Sequence, residues 1–262
     1  MNIQILIVVI LNLVISLIGT LAYSVRLVGI RTGKIAVSFA LFNVLMLVSR
    51  LAITFQAPIL TKYIEKNPND DFKNIFLTII IASGFATIAG AFLVPTFQRV
   101  FSKGVLYFSY QRSIPKLILH SFTKTGIKQL RSCVAIPVKE SISQIDFKKI
   151  PKKTIVLNII TVAIITAGSF APIYAGSIEH DLRATCITLA PVISGIATLI
   201  MTIFIDPQLS IMTDDVVDGH CSPQEFRNCV IGMVGSKTLG TFLAVFLLVP
   251  AAQIIIYLAR AI

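Results

Sequence analysis

Six stretches of this sequence are apolar for long enough to cross a bilayer, and no other feature limits the fold so strongly. They fall at about residues 3–22, 35–60, 74–97, 154–175, 184–205 and 238–259. A hydrocarbon core ~30 Å thick takes about 20 apolar residues in helical form. Inside it an unpaired backbone N–H or C=O costs several kcal/mol, so each run must close its own hydrogen bonds, and helices do this. The expected fold is all-α, a polytopic membrane protein of about six transmembrane helices. Composition agrees, with 55% hydrophobic and only 13% charged residues, where a soluble domain carries roughly 25% charged.

The formal charge of +11 would by itself suggest a nucleic-acid binder, but its distribution argues for a membrane. With the N-terminus outside, the inner segments 23–34, 98–153 and 206–237 hold 17 Lys and Arg, against 5 in the outer segments 61–73, 176–183 and 260–262. The positive-inside rule then favours N-out and C-out. No basic n-region precedes the first run, and Arg26, Arg31 and Lys34 follow it, so it reads as an uncleaved span. No nucleic-acid recognition motif accompanies the charge. Cys133, Cys186, Cys221 and Cys229 show neither a disulfide framework nor zinc spacing. No metal or cofactor is expected.

The basic segment 98–153 separates two three-span halves, residues 1–97 and 154–262, and the second half carries an acidic loop at 206–237. This layout is compatible with an inverted repeat. Ala82, Ala86 and Gly90, and Ala163, Ala167, Ala171 and Ala175, recur at four-residue spacing as helix contact faces do. Within the basic segment, Ile127, Leu130 and Val134 share one helical face and Lys124, Lys128 and Arg131 occupy others. Such a helix suits an interface of anionic phospholipids. Pro115, Pro137 and Pro151 divide the segment into short pieces.

Arg50 is the sharpest signal. It lies roughly 24 Å along the helix from Lys34, and an intramembrane arginine costs about 2.5–3.5 kcal/mol by insertion scales. Asn43 and Thr54 share its face, so the expectation is an anion site in a polar cavity. Asn12, Ser16, Thr20 and Tyr23 form a polar stripe on the first span, as do Thr188, Pro191, Gly195, Thr198 and Thr202 on the fifth. Either stripe lines a wet cavity or marks a tight crossing. In the loop 23–34, Gly29 and Gly33 would let backbone amides approach an anion, with Arg26, Arg31 and Lys34 supplying charge-assisted bonds. Asp206, Asp214, Asp215 and Asp218 are the acidic counterpart. Asp214, Asp215 and Asp218 spell DDxxD, a Mg²⁺-chelating pattern in enzymes acting on isoprenoid diphosphates. A solvated loop or helix cap is the competing explanation.

The stretch YSVRLVGIRTGKIAVSFALFN at residues 23–43, the pair Ser49-Arg50, and FIDPQLSIMTDDVVDG at 204–219 together resemble the Amj-type lipid II flippases of bacteria, the alternate to MurJ. The resemblance implies a cell (inner) membrane protein that is a transporter and not an enzyme. It would move the undecaprenyl-diphosphate-linked peptidoglycan precursor to the outer leaflet, with lipid II as its partner. The runner-up is a membrane-embedded Mg²⁺-dependent enzyme acting on an isoprenoid diphosphate. Physically, Arg26, Arg31 and Lys34 would capture the diphosphate, Arg50 would hold it deeper, and Asp206 would pair with an emptied arginine site. Six spans make a narrow cavity for such a headgroup, which calls for a homodimer or a groove open to lipid.

Overall fold

The computed structural model describes residues 3–113, 116–117, 119, 123–135 and 151–262. Each apolar stretch lies in one long helical span: Ile3–Thr32, Ile35–Lys66, Phe72–Gln111, Lys152–Ile178, Arg183–Val217 and Pro223–Ala261. Among the described residues there is no strand.

The spans outrun the apolar stretches that announce them. The third continues past Phe97 to Gln111, and the sixth starts at Pro223. With 39 residues the sixth is about 58 Å long, nearly twice the hydrocarbon core. Hydropathy marks the part suited to lipid, whereas the backbone ladder runs on until something caps it. At the sixth span the cap is reciprocal: Glu225 N donates to Ser222 Oγ at 3.2 Å, and Ser222 N donates to the Glu225 carboxylate at 3.4 Å. Pro223 follows, where no intrahelical amide is needed. At the third span Asn74 N donates to Asp71 Oδ1 at 3.2 Å.

Two spans are interrupted. The first has a 3₁₀ turn, Ala22–Ser24, between the helices Ile3–Leu21 and Val25–Thr32. The fifth is assembled from Arg183–Thr188, Ala190–Ile200, a π-helical turn Met201–Ile205, and Asp206–Val217. Such irregular turns often mark hinges or functional positions.

Small residues hold the bundle together, as they must where lipid tails are as apolar as the side chains. Ala163, Ala167, Ala171 and Ala175 of the fourth span are all buried. A Cβ on Gly240 of the sixth span would stand 2.6 Å from the Ile159 carbonyl oxygen. Gly90 of the third span presses against Thr20 of the first, and Gly84 against Phe242 of the sixth. The four-residue spacing therefore does mark contact faces. Phe76 meets Phe170 and Tyr174 at centroid distances of 6.0 and 5.9 Å, within a core that includes Leu60, Ile64 and Leu248. The fifth span is the exception: between residues 184 and 204 only Cys186 and Ala197 are buried.

One end of the bundle, here the basic end, carries Arg26–Lys34, Lys152, Lys153 and the 206–227 region. There a short helix, Lys124–Arg131, leaves Ile127, Leu130 and nearby Val134 exposed. It is tied to the third span by Lys103 Nζ donating to Ser132 Oγ at 3.2 Å and by mutual Thr96–Ala135 bonds of 2.9 and 3.0 Å. Pro115, Pro137 and the rest of residues 136–150 lie outside the described residues.

The loop at 23–34 corrects one sequence expectation. Gly33 adopts φ +64°, and its amide and that of Lys34 donate to Ile30 O and Gly29 O at 3.2 and 3.1 Å. A Cβ on Gly29 would lie 3.0 Å from Ile35 Cα. These glycines shape a tight helix–helix turn, and the two amides are engaged within it. Replacing Gly33 with Ala should therefore cost about 1 kcal/mol, because L-residues disfavour the left-handed region. Thermal unfolding in detergent would register the loss, and an unchanged transition would refute the assignment.

Candidate functional site

Helical spacing places Phe39, Asn43, Arg50, Thr54, Thr61 and Glu65 on one side of the second span. On the fifth span, Thr188, Pro191, Gly195, Thr198 and Thr202 lead by the same spacing to Asp206 and Ser210. The two faces meet at both ends. At the basic end, Arg26 reaches from the first span to Asp206 Oδ1 at 3.8 Å and donates to Ser210 Oγ at 2.8 Å. Its guanidinium also lies 5.1 Å from the Phe39 ring centroid, a cation–π distance. At the other end, Arg183 pairs with Glu65 at 3.9 Å. Ala57, Pro58 and Thr61 there face Ala184, Ile187 and Thr188 across a groove of about 630 Å³.

Between these closures the second and fifth spans are joined by no hydrogen bond or ion pair among the described residues. Asn43, Arg50, Thr54, Thr188, Pro191, Thr198 and Thr202 are exposed, and a Cβ on Gly195 would meet nothing within 4 Å. Polar residues are thus exposed on both spans between the two closures. Arg50 lies roughly 22 Å along the axis from Ile35 and 24 Å from Lys66, near the middle of the second span. Its carbonyl accepts from Thr54 Oγ1 at 3.0 Å. Its guanidinium has no partner among the described residues.

The first-span stripe has the other role, that of a tight crossing. Asn12 and Thr20 are buried, Asn12 Nδ2 donates to Ser83 Oγ, and Thr20 lies against Gly90. Tyr23 donates to Asn158 Oδ1 at 3.1 Å, and Asn158 Nδ2 donates to Ser236 Oγ at 2.7 Å and to Met233 O at 3.3 Å. Asn158→Ala strands these groups, and we expect a loss of about 1–2 kcal/mol in unfolding stability. A thermal transition matching wild type would show that the network contributes nothing.

The sequence-named residues divide into groups. Arg26 and Asp206 form a pair, and Asn43 and Arg50 share one exposed side of the second span. Arg31 instead donates to Gln98 Oε1 at 3.0 Å on the third span, and Lys34 is exposed at the turn. Asp214 and Asp218 are exposed and Asp215 is half-buried at the basic end. Among the described residues no three His, Cys, Asp or Glu side chains are grouped to hold one cation, so the DDxxD spacing builds no chelating cluster. Sequence reading missed Lys237, which the apolar stretch starting at Thr238 relegated to a loop. It lies well inside the sixth helix, and the Ser222–Glu225 capping box was the signal that the helix begins earlier.

Fold and site together define a six-span helical membrane protein with an exposed arginine, unpaired among the described residues, near the middle of its second span. The family profile described as Amj, Alternate to MurJ, matches residues 11–259. Over 261 residues, the sequence is 32% identical to the lipid II flippase Amj of Bacillus subtilis (strain 168), covering 98% of this chain and 97% of that protein. The chain belongs to the Amj family. No solved structure matches it.

Proposed function

We propose that this chain is a lipid II flippase of the bacterial cell membrane, carrying the undecaprenyl-diphosphate-linked peptidoglycan precursor from the inner to the outer leaflet. Family membership supports the activity. We assign the path to a cleft between the second and fifth spans, and the observation that carries this is Arg50, unpaired among the described residues and midway between the Arg26–Asp206 and Glu65–Arg183 contacts.

In this reading the basic end faces the cytoplasm, with both termini outside, as the Lys and Arg distribution favours. Arg31, Lys34 and the Lys124–Arg131 helix hold that end against anionic phospholipid. An arriving diphosphate competes with Asp206 for Arg26, because phosphate oxygens accept the same guanidinium donors. The Arg26–Asp206 contact then opens and the headgroup enters the cleft. Arg50 replaces part of the lost hydration at mid-membrane, and the Thr and Asn side chains of both walls replace more. The polyprenyl tail stays in hydrocarbon because the cleft is open along its side. Release requires the Glu65–Arg183 closure to part. A groove open to lipid accommodates the headgroup without a second copy of the chain.

The test is reconstitution of the full chain into vesicles loaded with lipid II, with exposure of intact headgroup on the far leaflet as the readout. Transport above protein-free vesicles, without chemical change to lipid II, is the expected result. A processed product, or no transport from well-inserted protein, would overturn the proposal.

A further inference from the structure

Lys237 is a charged group deep in the bundle for which neither the fold nor the acidic residues account. Its ammonium reaches the first span where that span has no side chain: a Cβ on Gly19 would lie 2.2 Å from Lys237 Nζ. Among the described residues it has no hydrogen-bond or ion-pair partner. Ser236, next to it in sequence, bonds instead with Asn158, which in turn accepts from Tyr23. Asp206, the carboxylate on this side of the first span, is engaged by Arg26. A cation taken out of water is unfavourable until it is paired, and the described residues supply this ammonium with no counter-charge.

Its depth indicates which anion. Gly19, Tyr23 and Arg26 follow one another at spacings of four and three, which keeps them on one side of the first span. Gly29 lies level with Ile35 of the second span, since its Cβ would stand 3.0 Å from Ile35 Cα. Measured from that level at 1.5 Å per residue, Arg26 stands roughly 4 Å, Gly19 with the Lys237 ammonium roughly 15 Å, and Arg50 roughly 22 Å into the bundle. The three cations thus rise in steps of about 10 and 7 Å from the basic end toward the middle of the second span.

We infer that Lys237 is a substrate-binding station between Arg26 and Arg50, where its ammonium donates to the phosphate oxygens of the translocating diphosphate. This rests on the flippase reading above and adds to it a residue from the sixth span. A compact ammonium with three rotatable donors suits a passing anion, because it demands no single geometry.

The test uses purified full-length protein, with farnesyl diphosphate as a binding probe and farnesol as its uncharged control, alongside lipid II transport in vesicles. Lys237→Met should weaken farnesyl diphosphate binding by ~tenfold or more and slow transport comparably, leaving farnesol unaffected. The thermal transition should stay at or above that of wild type, because a cation inside the bundle with no partner among the described residues has been removed. Lys237→Gln should behave alike and guards against a defect specific to Met. If both variants bind and transport as wild type does, or lose function only together with their thermal transition, Lys237 belongs to packing and the inference fails. Wild-type protein that transports lipid II yet binds farnesyl diphosphate no better than farnesol overturns the station and leaves the flippase reading standing. Wild-type protein that transports nothing overturns both.

Discussion

Arg50→Gln should cut lipid II transport in reconstituted vesicles by ~30-fold or more, with insertion and thermal stability preserved. The magnitude follows from losing charge-assisted bonds to phosphate, about 1.5–3 kcal/mol each, at the depth where water contributes least. Stability should not suffer, because the guanidinium is exposed and has no partner among the described residues. The substitution also removes the insertion penalty of a mid-membrane charge. Arg50→Lys should recover only part of the rate, since an ammonium lacks the planar fork that engages two phosphate oxygens. Normal transport by Arg50→Gln would mean that the cleft wall it shares with Asn43 is not the path.

The second large effect should come from tying the cleft shut. Thr61 and Thr188 line opposite walls of the groove at the end away from the basic residues. Cysteines placed at both positions, in a background without Cys133, Cys186, Cys221 and Cys229, can be bridged by a short, reducible bifunctional thiol reagent. Bridging should bring transport to the protein-free level, and reduction should restore it. Each single-cysteine variant, treated alike, should keep its activity. The fifth span makes this plausible mechanically: it has few buried residues, and a π-helical turn at Met201–Ile205 precedes Asp206. Unimpaired transport by the bridged protein would show that release does not require these walls to part.

Much of this architecture is legible in the sequence, because a bilayer leaves few ways to arrange apolar runs of this length. The six spans and the small-residue faces of the third and fourth follow from hydropathy and spacing. Arg50 stands out for the same reason: a charge inside such a run has few explanations. What could not be read is which distant residues meet. Asp206 was expected to partner an arginine, but nothing in its neighbourhood marks Arg26, which is 180 positions earlier in the chain. The polar stripes of the first and fifth spans look alike on a helical wheel. Only packing separates them, with Asn12 bonded to Ser83 inside the bundle and Thr198 exposed at its edge. Lys237 was lost because hydropathy ends a span where lipid contact ends, whereas the helix itself continues to its Ser222 cap. Gly29 and Gly33 were misread because the same permissive backbone serves an anion cradle or a tight turn, and only the amide partners tell them apart.

The groove between Thr61 and Thr188 has a pharmacological consequence. It is a shallow, open groove of about 630 Å³, and its rim carries the Glu65–Arg183 pair. In the proposed orientation it opens on the outside of the cell. A compound wedged there would meet its target without crossing the membrane that the target spans, and would hold the fifth span in one position while leaving the three cations untouched. Resistance should then arise at Ala57, Thr61 or Thr188, where side chains are replaceable, and not at Arg50, where escape would sacrifice transport itself.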